Sequence, residues 1–215
     1  MRKIGIFGGT FDPIHYGHLR PALEILDTLP LDEIRFIPAG QPPHRGVPAA
    51  SAALRLEMVK AAVAGEPRFV VDEREIRRNA PSYTVDTLAE LRREYPRDAL
   101  VLVAGMDAFL GFPGWHQWQK IFDYAHVIVA HRPGWVLQSG GELAETIRRR
   151  RAVSPQEIVT TPAGRILLQP VTQLEISSTR IRTAIAADGD PRYLVPEAVR
   201  ALILDSHCYT KHTEY

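Results

Sequence analysis

Short apolar runs alternate along the chain with stretches whose apolar residues recur at helical spacing. Six runs predict buried strands, namely Lys3 to Phe7, Ile34 to Ile37, Phe69 to Val71, Leu100 to Ala104, Val127 to Ala130 and Ile166 to Leu168. Three sets of side chains each share one helix face, namely Leu19, Leu23 and Leu26, then Leu54, Met58 and Ala62, then Val85, Leu88 and Leu91. This alternation predicts the α/β class, with an open, doubly wound, mostly parallel sheet covered by helices on both faces.

Two segments depart from this alternation. Residues 38–48 are rich in proline and glycine and contain the basic pair His44 and Arg45, which favours a functional loop over a passive turn. Residues 134–164 contain a glycine pair and an arginine run, and they predict a polar insertion or a loosely packed helix pair. The site itself should lie in loops that follow strands, because ligands of open α/β sheets bind beyond the carboxyl ends of the strands.

Length and charge narrow the class of protein. A chain of 215 residues favours a single domain over 1–215. Its 26 basic and 25 acidic residues nearly cancel, so neither a nucleic acid nor a membrane surface is an expected partner. The single cysteine, Cys208, excludes an internal disulfide framework and favours the cytoplasm. The first residues resemble neither a signal peptide nor a membrane span.

The loop after the first strand carries the strongest chemical signal. It reads Gly8-Gly9-Thr10-Phe11-Asp12-Pro13-Ile14-His15-Tyr16-Gly17-His18 and leads into a predicted helix near Gly17. Glycines allow close backbone approach, and a helix N-terminus offers N–H groups to a phosphate. His15 and His18 are three residues apart, so helical geometry would place both imidazoles on one side. The preceding strand, the glycines and the helix start together predict a phosphate site here. Two histidines with a purely structural role would not need these features.

A second anion site is predicted at Ser177-Ser178-Thr179-Arg180-Ile181-Arg182. Small hydroxyl residues typically cap a helix, and Arg182 lies one turn further, where it can fold back onto the helix start. An ordinary capped helix with a solvated arginine is the alternative. The sequence contains neither a P-loop nor a dinucleotide-binding fingerprint, and no ligand set around His15 and His18 predicts a metal site.

These two motifs resemble those of the nucleotidyltransferase superfamily, which has a Rossmann-like fold. Five further segments are similar in order and spacing to the bacterial nicotinate mononucleotide adenylyltransferase family, namely Pro42 to Arg45, Pro81 to Leu88, Gly105 to Asp107, Trp115 and Arg132 to Gly134. The similarity extends over most of the chain and weakens between Trp135 and Gly164. It implies transfer of AMP from ATP to nicotinate mononucleotide in NAD synthesis, with Mg2+ bound through the ATP phosphates.

The resemblance also implies roles for individual residues. His15, His18 and Arg182 would be catalytic. Residues implied in binding ATP are Gly8, Gly9, Thr10, Phe11, His44, Arg45, Gly105, Asp107, Arg132, Ser178 and Thr179. Thr84 and Trp115 would frame the pyridine ring.

Several of these residues have simpler interpretations. Trp115 could form a core pair with Trp118, Ser82 to Asp86 could be a capped helix start, and Asp107 could be an N-cap. The amide mononucleotide or another phosphate ester remains an alternative acceptor, and a non-catalytic nucleotide sensor is an alternative from another class. The sequence leaves the oligomeric state open.

Overall fold

The computed structural model describes residues 1–43, 46–78, 80–134 and 140–210. Within them six strands form one sheet, in the order β3-β2-β1-β4-β5-β6. The strands are β1 (Lys3–Gly9), β2 (Glu33–Pro38), β3 (Phe69–Val71), β4 (Ala99–Gly105), β5 (His126–His131) and β6 (Ile166–Pro170). The neighbouring pairs β1 and β4, β4 and β5, and β5 and β6 are all parallel. All six predicted strands and the predicted α/β class are therefore confirmed.

The helices of the described residues alternate with these strands. They are α1 (Tyr16–Thr28), α2 (Ala52–Val63), α3 (Arg74–Arg77), α4 (Thr84–Glu94), α5 (Met106–Leu110), α6 (Ile121–Tyr124), α7 (Gly141–Arg150), α8 (Pro155–Val159), α9 (Ser178–Ile185) and α10 (Glu197–Ser206). Two short 3-10 helices cover Phe112–Gly114 and Trp118–Lys120. No described helix is long and apolar enough to cross a membrane.

The described chain divides into two compact units, each built from three segments. Unit 1 comprises residues 1–8, 21–35 and 83–173, and unit 2 comprises residues 9–20, 36–82 and 174–215. Because neither unit is one continuous segment, we still expect residues 1–215 to fold as a single domain.

The core of unit 1 lies around the central strands. Every residue of β5 and all but the last residue of β4 are buried, as expected for strands covered on both faces. Val85, Leu88 and Leu91 form the buried face of α4. Two helices, α7 and α8, lie within residues 134–164, where a polar insertion or a loosely packed helix pair was predicted, and Leu143, Ile147 and Ile158 are buried there.

Unit 2 is organised around α2, α9 and α10. Helix α2 begins at the N-cap Ser51, whose hydroxyl accepts a hydrogen bond from the main-chain N–H of Leu54. Helices α2 and α10 pack against each other, with Met58, Val59, Val199 and Ile203 buried. This packing holds the end of the described chain within unit 2.

Candidate active site

The turn formed by residues 9–18 of unit 2, called here the histidine turn, brings His15 and His18 together. Their rings stack with centroids 3.7 Å apart and planes inclined by 27°. The main-chain N–H of His15 donates to Nδ1 of His18 over 3.3 Å. Because an N–H group can only donate, this Nδ1 carries no proton, and neutral His18 is protonated at Nε2. The prediction that both imidazoles lie on one side of the helix start is confirmed.

His15 is the buried member of the pair. Its side chain is 4% exposed, and its Nδ1 has no hydrogen-bond partner among the described residues. Burial disfavours the charged imidazolium and lowers the pKa of His15 to about 4. His15 is therefore neutral at pH 7 in this structure, and the protonated nitrogen of its ring can act as a hydrogen-bond donor.

Gly17 provides space for the His15 ring. A Cβ atom at Gly17 would lie 2.9 Å from Cε1 and Nδ1 of His15, and 3.2 Å from the carbonyl oxygen of Ile176. Real Cβ atoms do not approach carbon or nitrogen this closely, so a side chain at Gly17 would displace the imidazole. The glycine between the two histidines is thus required by the position of His15.

Phe11 packs beneath the histidine turn, against His18. Its φ of 50° lies in the left-handed region, its ring is 2% exposed, and that ring meets His18 edge-on at 5.2 Å. A Cβ atom at Gly9 would lie 2.9 Å from the Phe11 ring, so Gly9 allows the aromatic ring to fold under the turn. Thr10, between them, is half-buried. Phe11 therefore supports His18 from inside unit 2.

Helix α9 is tied to the same turn. Ser177 is its N-cap and accepts from the main-chain N–H of Arg180 at 3.2 Å, as predicted. The Ser178 hydroxyl donates to the carbonyl oxygen of Pro13 at 2.9 Å. Nη1 of Arg182 donates to the carbonyl oxygen of Asp12 at 2.7 Å. Arg182 thus folds back toward the helix start, and the two predicted anion motifs meet.

The guanidinium of Arg182 also lies beside the exposed Thr179. Nη2 of Arg182 donates to the Thr179 hydroxyl at 3.4 Å, and the Arg182 side chain is 30% exposed. A partly exposed cation near a capped helix start, bonded to the turn that carries two imidazoles, is suited to an anion with several oxygens. These groups of unit 2 are therefore candidates for binding a phosphate.

Two residues that support this surface were missed by the sequence analysis. Asp12 is 5% exposed, and its carboxylate accepts from the N–H groups of Ala49 and Ala50. Arg55 is 1% exposed and donates to the carbonyl oxygen of Thr10 at 2.7 Å. Its remaining nitrogens donate to the carbonyl oxygens of Ala50 and Gly40. The available signal was a charged residue within the apolar segment of α2, where Arg55 precedes Leu56.

Ser82 has a different role from the one predicted. Helix α4 does begin at Thr84, but its N-cap is Tyr83, which makes no side-chain capping bond. The Ser82 hydroxyl instead accepts from the N–H groups of Gly40 and Gln41, at 3.0 and 3.2 Å. Ser82 therefore fixes the beginning of the loop 38–48. His44 and Arg45, predicted on this loop, lie outside the described residues.

Three predicted residues of unit 1 lie at or next to the carboxyl ends of parallel strands. Gly8 lies near the end of β1 and Gly105 ends β4, the strand adjacent to β1. Gly105 pairs in register with Ala130 of β5, and Arg132 directly follows that strand. A Cβ atom would meet nothing within 4 Å at either Gly8 or Gly105, so this edge offers space. The predicted ligand edge of the sheet thus carries these residues.

Asp107 and Arg132 are both exposed near this edge of unit 1. Asp107 lies in the first turn of α5, whose N-cap is Gly105, so the alternative interpretation of Asp107 as an N-cap is wrong. Nε of Arg132 lies 3.4 Å from the side-chain oxygen of Gln173. An exposed carboxylate and an exposed guanidinium are therefore available to polar ligand groups.

Trp115 and Thr84, predicted to frame a pyridine ring, are both half-buried in unit 1. The Trp115 ring packs on Phe112 with centroids 4.6 Å apart. Trp118 is 3% exposed and packs near Phe122, so the two tryptophans do not form the core pair that was the alternative. Trp115 retains an accessible aromatic surface that a flat ring could contact.

The donor set of the histidine turn suits an anion better than a metal ion. No group of three or more His, Cys, Asp or Glu residues is positioned for a metal in the described ranges. The oxygens of Asp12, whose Oδ2 lies 3.9 Å from Nη1 of Arg182, already accept hydrogen bonds from Ala49, Ala50 and Tyr209. A divalent cation in this region would therefore bind through oxygens of a ligand.

The chain is similar to known proteins over most of its length. Residues 6–184 match the family model described as cytidylyltransferase-like. The chain is 50% identical to the probable nicotinate-nucleotide adenylyltransferase of Halorhodospira halophila, covering 97% of this chain and 96% of that protein. It is 44% identical to the protein of the same name from Methylococcus capsulatus, covering 97% of this chain and 100% of that protein.

A solved structure shares the fold. The nicotinic acid mononucleotide adenylyltransferase of Plasmodium falciparum, complexed with NaAD, is 16% identical with a TM-score of 0.73, covering 97% of this chain and 98% of that chain. Together with the identities over nearly the full length, these findings show that the chain belongs to the nicotinate-nucleotide adenylyltransferase family of cytidylyltransferase-like enzymes.

Proposed function

We propose that this chain transfers AMP from ATP to nicotinate mononucleotide, releasing pyrophosphate and forming the dinucleotide in NAD synthesis. The observation that carries the proposal is that Arg182 binds, through the Asp12 carbonyl oxygen, the turn that holds the stacked His15 and His18 in unit 2. The family to which the chain belongs supports the choice of acceptor. We place the reaction in the cytoplasm, as the single cysteine favours.

The reaction is a direct attack by a phosphate oxygen of the mononucleotide on the α-phosphorus of ATP. Because a phosphate monoester is largely ionised at pH 7, the nucleophile needs no strong base. Catalysis then consists of positioning the two substrates and stabilising the charge that develops on the phosphates. His18, protonated at Nε2, and the neutral His15 act as donors, while Arg182 supplies positive charge to the outer phosphates.

ATP enters as its magnesium complex. Since the carboxylate of Asp12 is already occupied by three donors, a divalent cation would be held through the ATP phosphate oxygens, and it would supply charge neutralisation there. Thr10, Phe11, Ser178 and Thr179 then line the nucleotide side in unit 2. We assign the same role to Gly9, His44 and Arg45.

The residues of unit 1 complete the assignment. Asp107 and Gly105 contact a ribose, and the open space at Gly8 and Gly105 admits the nucleotide backbone. Arg132 provides a further cation to ATP. Thr84 and the exposed surface of Trp115 frame the pyridine ring of the acceptor.

The test is pyrophosphate release with ATP and magnesium, offering nicotinate mononucleotide and nicotinamide mononucleotide in parallel at matched, subsaturating concentrations. We expect a clear preference for the acid. His18→Ala should lower turnover roughly a hundredfold, because losing one preorganised donor typically costs about 3 kcal/mol. Release with neither acceptor would refute the proposed reaction, and near-normal turnover of a folded His18→Ala variant would refute the role of His18.

Two arginines of α9 offer a matched control for the same assay. Arg182→Gln should reduce the rate strongly, because it removes the cation beside the histidine turn. Arg180→Gln changes an exposed arginine two positions earlier, whose main-chain N–H contacts Ser177, and it should leave the rate within about twofold. Equal losses in both variants would contradict the assignment of Arg182.

A further inference from the structure

The described chain ends in a segment that the reaction as proposed does not use, although this segment contacts the histidine turn. After α10 the backbone enters the left-handed region at His207 (φ 50°) and again at Tyr209 (φ 73°). Non-glycine residues rarely adopt this conformation, and they keep it only where surrounding contacts determine it. Here the contact is a hydrogen bond of 2.7 Å from the Tyr209 hydroxyl to Oδ1 of Asp12.

This bond completes the donor set around the Asp12 carboxylate. Oδ2 accepts from the N–H of Ala49 at 2.8 Å, and Oδ1 accepts from the N–H of Ala50 at 3.1 Å as well as from Tyr209. The carboxylate is almost fully buried, so each of these donors offsets part of the cost of removing a charge from water. Three donors from two segments therefore fix the Asp12 side chain in one orientation.

The main chain of Asp12 in turn orients Arg182. The carbonyl oxygen of Asp12 accepts from Nη1 of Arg182 at 2.7 Å, and the same Nη1 lies 3.9 Å from Oδ2 of Asp12. A rotation of the Asp12 side chain or a tilt of its peptide group would therefore move the guanidinium. Because bidentate recognition of phosphate depends on the direction of the guanidinium plane, a small rotation would weaken it.

We propose that Tyr209 is a positioning residue for the ATP phosphates, acting through Asp12 on the guanidinium of Arg182. The inference rests on the proposed function only in assigning Arg182 to phosphate. Tyr209 itself touches neither substrate nor reacting atoms. Its hydroxyl orients the Asp12 carboxylate, and Arg182 contacts the same residue through the carbonyl oxygen at 2.7 Å and through Oδ2 at 3.9 Å.

The test uses Tyr209→Phe, which removes one hydroxyl and keeps the ring. The matched control is Tyr193→Phe, because Tyr193 also has a left-handed φ, 64°, but its side chain is 85% exposed. We expect Tyr209→Phe to lower kcat/KM for ATP about tenfold and to weaken binding of magnesium ATP in calorimetry. The KM for nicotinate mononucleotide should change less than about twofold, and the control should match the wild-type enzyme.

A double-mutant cycle separates positioning from a general structural role. In the Arg182→Gln background, Tyr209→Phe should reduce kcat/KM for ATP less than about twofold further, because its effect passes through Arg182. A full additional tenfold loss, or equal effects on both substrates, would overturn the proposal. So would wild-type kinetics and ATP binding in Tyr209→Phe.

The binding measurement also separates the two proposals. If the wild-type enzyme binds magnesium ATP but releases no pyrophosphate, the proposed reaction fails while the comparison of ATP binding still tests Tyr209. If the enzyme transfers AMP and Tyr209→Phe behaves as wild type, the role of Tyr209 fails alone. Absence of ATP binding by the wild-type enzyme would overturn both.

Discussion

Replacing His15 by asparagine should change how the stability of the protein depends on pH. In the folded state burial lowers the pKa of His15 to about 4, whereas in the unfolded chain it returns to the ordinary value of 6.5. Between these two values the unfolded state binds more protons than the folded state. Acidification therefore favours unfolding, and the stability that His15 retains above pH 6.5 is lost as the pH falls toward 4.

The magnitude follows from the difference between the two pKa values. A lowering from 6.5 to about 4 corresponds to a loss of about 3 kcal/mol once the pH has fallen below both values. A typical domain has a stability of about 5–15 kcal/mol, so this single group would be visible in an unfolding curve. Asparagine does not titrate in this range, and the variant should lack this contribution whatever its stability at neutral pH.

The assay is urea unfolding followed by tryptophan fluorescence, at several pH values from 7 to 4.5, for wild type and His15→Asn. Burial also lowers the pKa of His126, but that residue is present in both proteins and cancels in the difference. We expect the wild-type free energy of unfolding to fall more steeply than that of the variant, by about 2–3 kcal/mol over this range. Parallel curves would refute the burial argument for His15.

Two further substitutions test packing. Gly17→Ala should lower pyrophosphate release at least tenfold, because the added Cβ would displace His15. Its Tm should shift by only a few degrees, since alanine favours the helix by about 1 kcal/mol relative to glycine. Turnover within twofold of wild type would contradict this prediction. Arg92→Lys should destabilise unit 1 by about 2 kcal/mol in urea unfolding, because lysine lacks the planar guanidinium with several N–H donors. Arg92 donates to the carbonyl oxygens of Tyr95, Asp98, Tyr124 and Pro162. The exposed Arg93→Lys should change stability by less than about 0.5 kcal/mol, and equal losses would contradict this interpretation.

The sheet could be predicted from the sequence because its signal is local. Runs such as Leu100 to Ala104 become central strands buried on both faces, and β4 is buried from Ala99 to Ala104. The helix starts at Tyr16 and Ser178 could also be predicted from the sequence, because glycine, proline and hydroxyl residues act on their immediate neighbours. The interpretation of Ser82 as a cap was wrong, since its hydroxyl contacts Gly40 and Gln41, some forty residues away.

The contacts of the residues that support the site could not be predicted, because they join residues that are far apart in the sequence. The bond between Tyr209 and Asp12 joins residues 197 positions apart, and that between Arg55 and Thr10 spans 45 positions. In neither pair does the local sequence around one residue identify its partner. The apolar neighbours of Arg55 favour its burial, but they do not identify the carbonyl oxygens to which its side chain donates.

The burial of His15 also determines how positive charge is shared within unit 2. Protonating His15 at pH 7 would require its pKa to rise from about 4 by three units, which corresponds to about 4 kcal/mol from a bound phosphate. Neutral His15 requires no such contribution and still has an N–H to donate, because one ring nitrogen of a neutral imidazole is protonated. Because Nδ1 of His18 accepts from the His15 N–H, Nε2 is the His18 nitrogen that can donate. Of the three residues proposed as catalytic, Arg182 is the one that brings a permanent charge to the phosphates. The residues that support Arg182 must therefore preserve the direction of its guanidinium.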